Sequence, residues 1–355
     1  MADHIEQGLP AGRLPMSPGP PTTNELERSM TSGTHPGYAV RLNAFKPAIA
    51  GTSSPTLPDL ITAAGQIEGI TSADLNYPDQ VEGHDRRQLV SLLAENGLGL
   101  NGLAMRYYGT RRFAIGAFTN PDRQDRQAAI DLTKRGIDAL SGMGGRLMTI
   151  WLGQDGVDYA FQGSYRRMWD DTVGALAEIA DHDPDIDVAI EYKPAEPRAH
   201  ALLPDAATTL LAISEAGRPN LGVTLDMAHS LMANEMPAQS AHLICRHSRL
   251  LGVHLNDAYG TRDDGLMVGT VHPVQTLELF VELARLGYDG IIYFDTFPDH
   301  SGLDPSEEAR TNVKLTDRLR RIAGELVDDQ DLADAMSRQD ATVSQRLVAA
   351  ALYAA

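Results

Sequence analysis

Apolar residues along the 355-residue chain gather into short, nearly continuous runs rather than a strict alternation with polar ones. Eight such runs stand out: AVRLNAF (39–45), SADLNY (72–77), LGLNGLAM (98–105), RLMTIWL (146–152), DVAIEYK (187–193), LGVTLDMAH (221–229), LLGVHLND (250–257) and GIIYFDTF (290–297). Runs of this kind predict strands covered on both faces. Helical spacing fills the gaps between them. After the third run, Asn120-Pro121 reads as an N-cap followed by a first-turn proline, and Ile130, Ile137 and Leu140 recur at roughly helical spacing before Gly144-Gly145 closes the element. Strands alternating with helices eight times predict an α/β protein, a (β/α)8 barrel rather than a doubly wound open sheet. Residues 1–35, rich in Pro, Gly, Ser and Thr, read as an irregular N-terminal arm, and residues 36–325 as the barrel. Residues 326–355 read as a helical tail whose Leu332, Met336, Val343 and Leu347 are expected to dock on the barrel or on another subunit.

Composition narrows the partners. A hydrophobic content of 43% is ordinary for a globular chain with a sizeable core. The net charge of -18 argues against nucleic acid and anionic membranes as partners. The single Cys245 excludes an internal disulfide and fits a reducing compartment. No run approaches the roughly 18 apolar residues of a membrane span, and the first residues lack the apolar core of a secretory signal. A cytoplasmic protein acting on a small molecule is expected.

The segment AIEYKPAEPR (189–198) carries the first chemistry. An apolar strand ends there in Glu191 and Lys193, and ionisable groups at a buried strand end are costly unless they are paired or used. In a barrel of this kind, catalytic groups come from the C-terminal ends of several strands. The next three strands conform: the sixth ends with Asp226 and His229, the seventh with His254, Asn256 and Asp257, the eighth with Asp295. Glu191, Asp226, His254 and Asp295 thus offer three carboxylates and one imidazole to a point near the axis. Converging like charges would raise one another's pKa values, and a divalent cation removes the conflict. Oxygen-dominated ligation with one nitrogen favours Mn2+, Mg2+ or Co2+ over a closed structural zinc site.

These motifs resemble a known family. EYKPAEPR is similar to the Glu-x-Lys-Pro-x-Glu-Pro segment of xylose isomerases. Upstream, Trp151, Gly153, Asp155 and Gly156 match that family's Trp-Gly-Gly-Arg-Glu-Gly strand end, while HLNDAYGTRDDG (254–265) and the tail after 326 look closer to L-rhamnose isomerases of the same superfamily. The resemblance covers about residues 100–325 and implies a metal-dependent aldose–ketose isomerase with one or two divalent ions, most closely Mn2+, per subunit of a dimer or tetramer. It implies a first metal site of Glu191, Asp226, His254 and Asp295, and a second that shares Asp226 and adds His229, Asp263 and Asp264. Lys193 corresponds to the lysine that meets the sugar's terminal oxygen. Trp151, His229 and Asn256 are carried over as sugar contacts, and Glu191 and Asp295 with Lys193 as the catalytic set.

The chain departs from the family twice. The second-site acids are adjacent, not spaced Asp-x-Asp, and the region after strand two, ADLNYPDQ, lacks the histidine that opens the sugar ring. No glycine-rich phosphate cradle is visible, which favours a neutral, unphosphorylated sugar. Two other activities remain open within the superfamily, a ketose 3-epimerase and a carbon-glycoside-cleaving lyase subunit, and a third alternative is a non-catalytic sugar-binding barrel. Glu196 and Arg198 admit a loop ion pair. Asp155 and Asp158 are expected to be solvated, Met227 to pack, and His272 and His300 to take surface positions near strand-end loops, with lining of the pocket as the alternative. The resemblance implies Phe113 and Phe118 as an apolar wall supplied from a loop or a neighbouring subunit.

Overall fold

The computed structural model describes residues 37–48 and 55–353; the arm expected over 1–35 lies outside them. Eight parallel strands close into a barrel in chain order: β1 Tyr38–Arg41, β2 Ile70–Tyr77, β3 Gly99–Met105, β4 Leu147–Trp151, β5 Asp187–Glu191, β6 Leu221–Asp226, β7 Leu250–Leu255 and β8 Ile292–Phe294. Closure is made by β8 against β1, with Tyr38 opposite Ile292. The helices are α1 Leu57–Gly65, α2 Arg86–Glu95, α3 Arg123–Gly142, α4 Tyr165–Ala180, α5 Ala206–Ala216, α6 Met227–Met232, α7 Pro237–His247, α8 Pro273–Arg285, α9 Pro298–Ser301, α10 Pro305–Val327, α11 Gln330–Ser337 and α12 Ala341–Tyr353. One apolar core runs between the strands and the helices around them, continuous from Val40 and Leu75 through Ile150, Val223 and Phe294 to Leu352 on α12. The (β/α)8 architecture expected from the apolar runs is the one observed.

Local chemistry moved several boundaries. The first run stops pairing at Arg41 and continues as a 3-10 helix over Leu42–Ala48. The sixth stops at Asp226 because that residue's Oδ1 accepts the His229 N–H at 3.0 Å and caps the next helix, so Met227 and Ala228 belong to α6. Helix α3 starts later than Asn120-Pro121 suggests. Asp122 is its N-cap, accepting the Gln124 N–H at 2.7 Å, while the buried Asn120 donates its amide to the carbonyls of Arg112 and Gly116. Gly144, at φ 78°, does close that helix, and Ile130, Ile137 and Leu140 are buried. In the tail, Leu332 is buried, Val343 and Leu347 are partly buried, and Met336 is exposed.

Barrel closure demands close backbone approach at one point. A Cβ on Gly102 in β3 would sit 2.5 Å from the Leu147 carbonyl oxygen of β4. Gly102→Ala should therefore force the two strands apart and cost about 2 kcal/mol. Gly174→Ala, in open space on the exposed face of α4, should gain about 0.5–1 kcal/mol from helix propensity. Urea midpoints measured with unchanged slope decide both signs.

Candidate metal centre

Four strand ends meet at the mouth of the barrel. Glu191 closes β5, Asp226 closes β6, His254 lies one residue before the end of β7, and Asp295 follows β8. One ligand atom from each lies within 4.8 Å of the others. Asp226 and His254 are register partners, and His254 Nδ1 stands 3.2 Å from Glu191 Oε1. Asp226 is fully buried, Glu191 and His254 nearly so, and Asp295 partly.

Such a cluster without a cation pushes its protons onto the groups least able to stay charged. Burial raises Asp226 to about 7 and also raises Asp295. Glu191 is buried too, but the His254 and His229 imidazoles overcome that effect and bring it down to about 2. Burial disfavours charge on His229 and His254, yet the surrounding carboxylates raise each to about 9.

A second group adjoins the first. His229, in the first turn of α6, places Nε2 3.2 Å from Asp263 Oδ2. Its Nδ1 lies 3.7 Å from Glu191 Oε1 and 3.9 Å from Asp226 Oδ1, but makes no hydrogen bond among the described residues. Asp263 Oδ1 is likewise buried without a partner. Orphaned buried ligand atoms beside Asp226 are what a cation-binding place would leave in its absence. Lys193 Nζ reaches Asp263 at 2.9 Å and Glu196 at 3.1 Å, and lies 5.5 Å from the Trp151 ring centre. Burial opposes its charge, but Asp263 and Glu196 outweigh it and the ammonium is held above its ordinary range. Glu196 adopts φ 69°, a left-handed conformation uncommon for a non-glycine residue, which here accompanies its contact with Lys193.

Two expected contacts fall elsewhere. Asp264 accepts the Tyr259 N–H at 2.9 Å and the Arg262 Nε–H at 2.5 Å, and so closes its own loop away from His229. Adjacent side chains leave the backbone in different directions, and Asp263 alone takes the inward one. Asn256 is fully buried with its amide engaged: Nδ2 donates to Asp226 Oδ2 at 3.1 Å and to the Asp295 carbonyl at 3.2 Å, while Oδ1 accepts the Ala228 N–H at 2.8 Å. It orients Asp226 and has no face left for a sugar.

Buried carboxylates also hold the rim loops. Asp257 accepts the N–H groups of Ala258, Val271 and His272 and the His272 ring Nδ1, pinning both ends of the loop that carries Asp263. Asp155, expected to be solvated, is buried and accepts the N–H groups of Ala117 and Thr119. Arg198 pairs with Asp158 across the same rim and Glu196 pairs with Lys193, so the ion pair expected between Glu196 and Arg198 is not the one formed. Phe113 and Phe118 pack in the core against Tyr107 rather than forming an exposed wall, and Met227 packs as expected.

The cluster opens into a cavity of about 620 Å³, lined also by Trp151, Lys193, Tyr108 and His300. Arg41, Asp74 and Arg106, in or just after β1 to β3, line it as well and are not among the site residues expected from the sequence. Arg106 directly follows the third run and carries the same strand-end signal as the last four strands, whereas Arg41 becomes a strand end only because β1 stops there and not at residue 45, and Asp74 is an acid inside the second run.

The donor set is chemically coherent. Hard carboxylate oxygens with a single imidazole suit a divalent cation of the Mn2+, Mg2+ or Zn2+ kind. Residues 61–319 match the family model described as a xylose isomerase-like TIM barrel. The chain is 27% identical over 224 residues to the xylose isomerase of Thermus thermophilus, an alignment covering 61% of this chain and 58% of that enzyme, so it spans less than two thirds of the relative's length. Among solved structures, an L-ribulose 3-epimerase superposes with a TM-score of 0.66 at 17% identity, covering 83% of this chain and 98% of its own. The IOLI protein, solved with a bound zinc atom, superposes with a TM-score of 0.60 at 14% identity, covering 80% and 98%. The matched span contains every strand from β2 to β8 and all four clustered ligands, and the chain belongs to the xylose isomerase-like TIM barrel family.

Proposed function

We propose that the protein is a divalent-metal-dependent aldose–ketose isomerase acting on a neutral, unphosphorylated monosaccharide. Glu191, Asp226, His254 and Asp295 would hold the ion, Mn2+ fitting best with Mg2+ or Co2+ as substitutes, and Asp226, His229 and Asp263 form a place for a second. A bound divalent ion supplies Lewis acidity toward two adjacent sugar oxygens. The observation that carries the proposal is Lys193, an ammonium donor held above its ordinary range, two residues after Glu191 and in the same cavity as the cluster. An ammonium there stabilises negative charge developing on the terminal carbonyl oxygen. Trp151 supplies the apolar wall beneath it, and Asn256 and Asp257 keep the acids and their loop from shifting. In the reaction, the hydrogen on carbon two moves with its electron pair to carbon one, while the proton lost from the carbon-two hydroxyl ends on the carbon-one oxygen.

The length of the strand-eight acid separates this chemistry from 3-epimerisation. Asp295 is one methylene shorter than a glutamate, which withdraws the carboxylate by roughly 1 Å from a substrate carbon, and such a displacement can cost about a hundredfold when geometry controls rate. Asp295 therefore suits ligation better than abstraction of a carbon-bound proton.

The direct test is an aldose deuterated at carbon two. Deuterium is expected at carbon one of the ketose with little exchange into water; washout into solvent, or a carbon-three epimer as product, would establish the epimerase instead. Lys193→Met should keep metal affinity at the Glu191, Asp226, His254 and Asp295 cluster and lower kcat by about a thousandfold. Retained turnover would reassign the lysine.

Proton competition sets the pH dependence of loading. In the metal-free protein His229 and His254 are raised to about 9 and Asp226 to about 7, so at neutral pH an entering cation must displace protons. Mn2+ affinity should therefore rise from pH 6 to 9, by about tenfold per pH unit for each proton displaced. Calorimetric titration in buffers of different ionisation enthalpy should detect the released protons; a flat affinity profile would contradict the assignment.

A further inference from the structure

We propose that Asp74 and Arg106 bind the hydroxyl groups at the end of the sugar chain remote from the metal cluster, and thereby select substrate length and configuration. This rests on the sugar-isomerase proposal but concerns a part of the cavity that the reaction itself leaves unused.

The barrel order places these residues. Going round eight strands, β2 stands across from β6, which carries Asp226, and β3 across from β7, which carries His254. Asp74 lies within β2, opposite Gly102, and is only 7% exposed while lining the cavity. Asn101 Nδ2 donates to its Oδ1 at 2.6 Å and fixes the carboxyl plane. Among the described residues nothing hydrogen-bonds its other oxygen. Arg106 directly follows β3, its backbone N–H held by the Tyr77 carbonyl at 2.8 Å. Its guanidinium lies 5.8 Å from the Tyr108 ring centre and, among the described residues, makes no hydrogen bond and meets no carboxylate at ion-pair distance. Arg106 is partly exposed and lines the cavity, so its N–H donors face the space a ligand would fill.

The two groups are complementary to one kind of ligand atom. A guanidinium only donates and a carboxylate chiefly accepts, whereas a hydroxyl does both. A polyol end can accept from Arg106 and donate to Asp74 at once. A carboxylate or phosphate end would be drawn to Arg106 and repelled by Asp74, so the pair together favours a neutral chain. Sites built to hydrogen-bond a substrate hydroxyl discriminate strongly against analogues that lack it.

Alditols test this without any turnover, because they carry the hydroxyls but cannot isomerise. On the full-length Mn2+-loaded protein, dissociation constants for glycerol, erythritol, xylitol and sorbitol should fall at least thirtyfold from the shortest to the best of the longer chains. Asp74→Ala and Arg106→Met should each flatten that span to within about threefold while leaving glycerol binding to the Mn2+-loaded protein unchanged. Asp74→Asn and Arg106→Gln serve if the first pair unfolds. The proposal is overturned if wild type shows no length dependence or no alditol binding, if the variants keep it, or if they weaken glycerol equally. It is also overturned if wild type binds sugar acids more tightly than alditols of the same length and Arg106→Met abolishes that preference. Failure of the isomerase proposal would appear separately, as absence of aldose turnover with alditol discrimination intact.

Discussion

Three carboxylates and an imidazole converge within 4.8 Å at the mouth of a barrel built on a continuous apolar core. No arrangement of the chain alone leaves all of them comfortable. Burial lifts Asp226 to about 7, and the carboxylates in turn lift His229 and His254 to about 9, so the metal-free cluster stores protons it would release to a cation. Much of the surrounding structure serves to keep these groups together despite their mutual cost. The barrel fixes four strand ends in register. Asn256 ties Asp226 to the Asp295 backbone, and Asp226 itself caps the helix that presents His229.

The loops above the cluster are held by the same device, a buried acid bonded to backbone N–H groups. Asp257 fixes the segment that carries Asp263, and Asp155 fixes the turn at residues 117–119. This accounts for the dense charge in residues 189–198. Glu191 belongs to the cluster, Lys193 pairs with its neighbour Asp263 and with Glu196, and Arg198 pairs with Asp158 on the rim. Groups that would be a liability at an ordinary strand end are each matched to a partner supplied by another strand or loop.

The barrel was legible because parallel strands covered on both faces need uninterrupted apolar runs, and eight of them recur with helical spacing between. The convergence at the last four strand ends followed from that count, since barrel strands all deliver their C-terminal residues to one rim. What stayed hidden depended on side-chain direction. Nothing in Asp263-Asp264 says which acid turns inward until the contacts of Tyr259 and Arg262 with Asp264 are visible. Asn256 reads as a sugar contact until three partners are seen to occupy its amide. Asp155 reads as a solvated loop acid because the N–H groups it caps lie about forty residues away in sequence. Boundary errors have the same origin: apolar Met227 and Ala228 continue the run past Asp226, and only the capping role of Asp226 divides strand from helix.

The account stands on one ion at one place, and an anomalous-diffraction map from crystals grown with Mn2+ and recorded at the manganese edge tests it most directly. A peak is expected about 2 Å from ligand atoms of Glu191, Asp226, His254 and Asp295 together, the spacing of a directly coordinated divalent metal. A map with no peak inside the barrel mouth, or with its only peak away from these four residues, would contradict it.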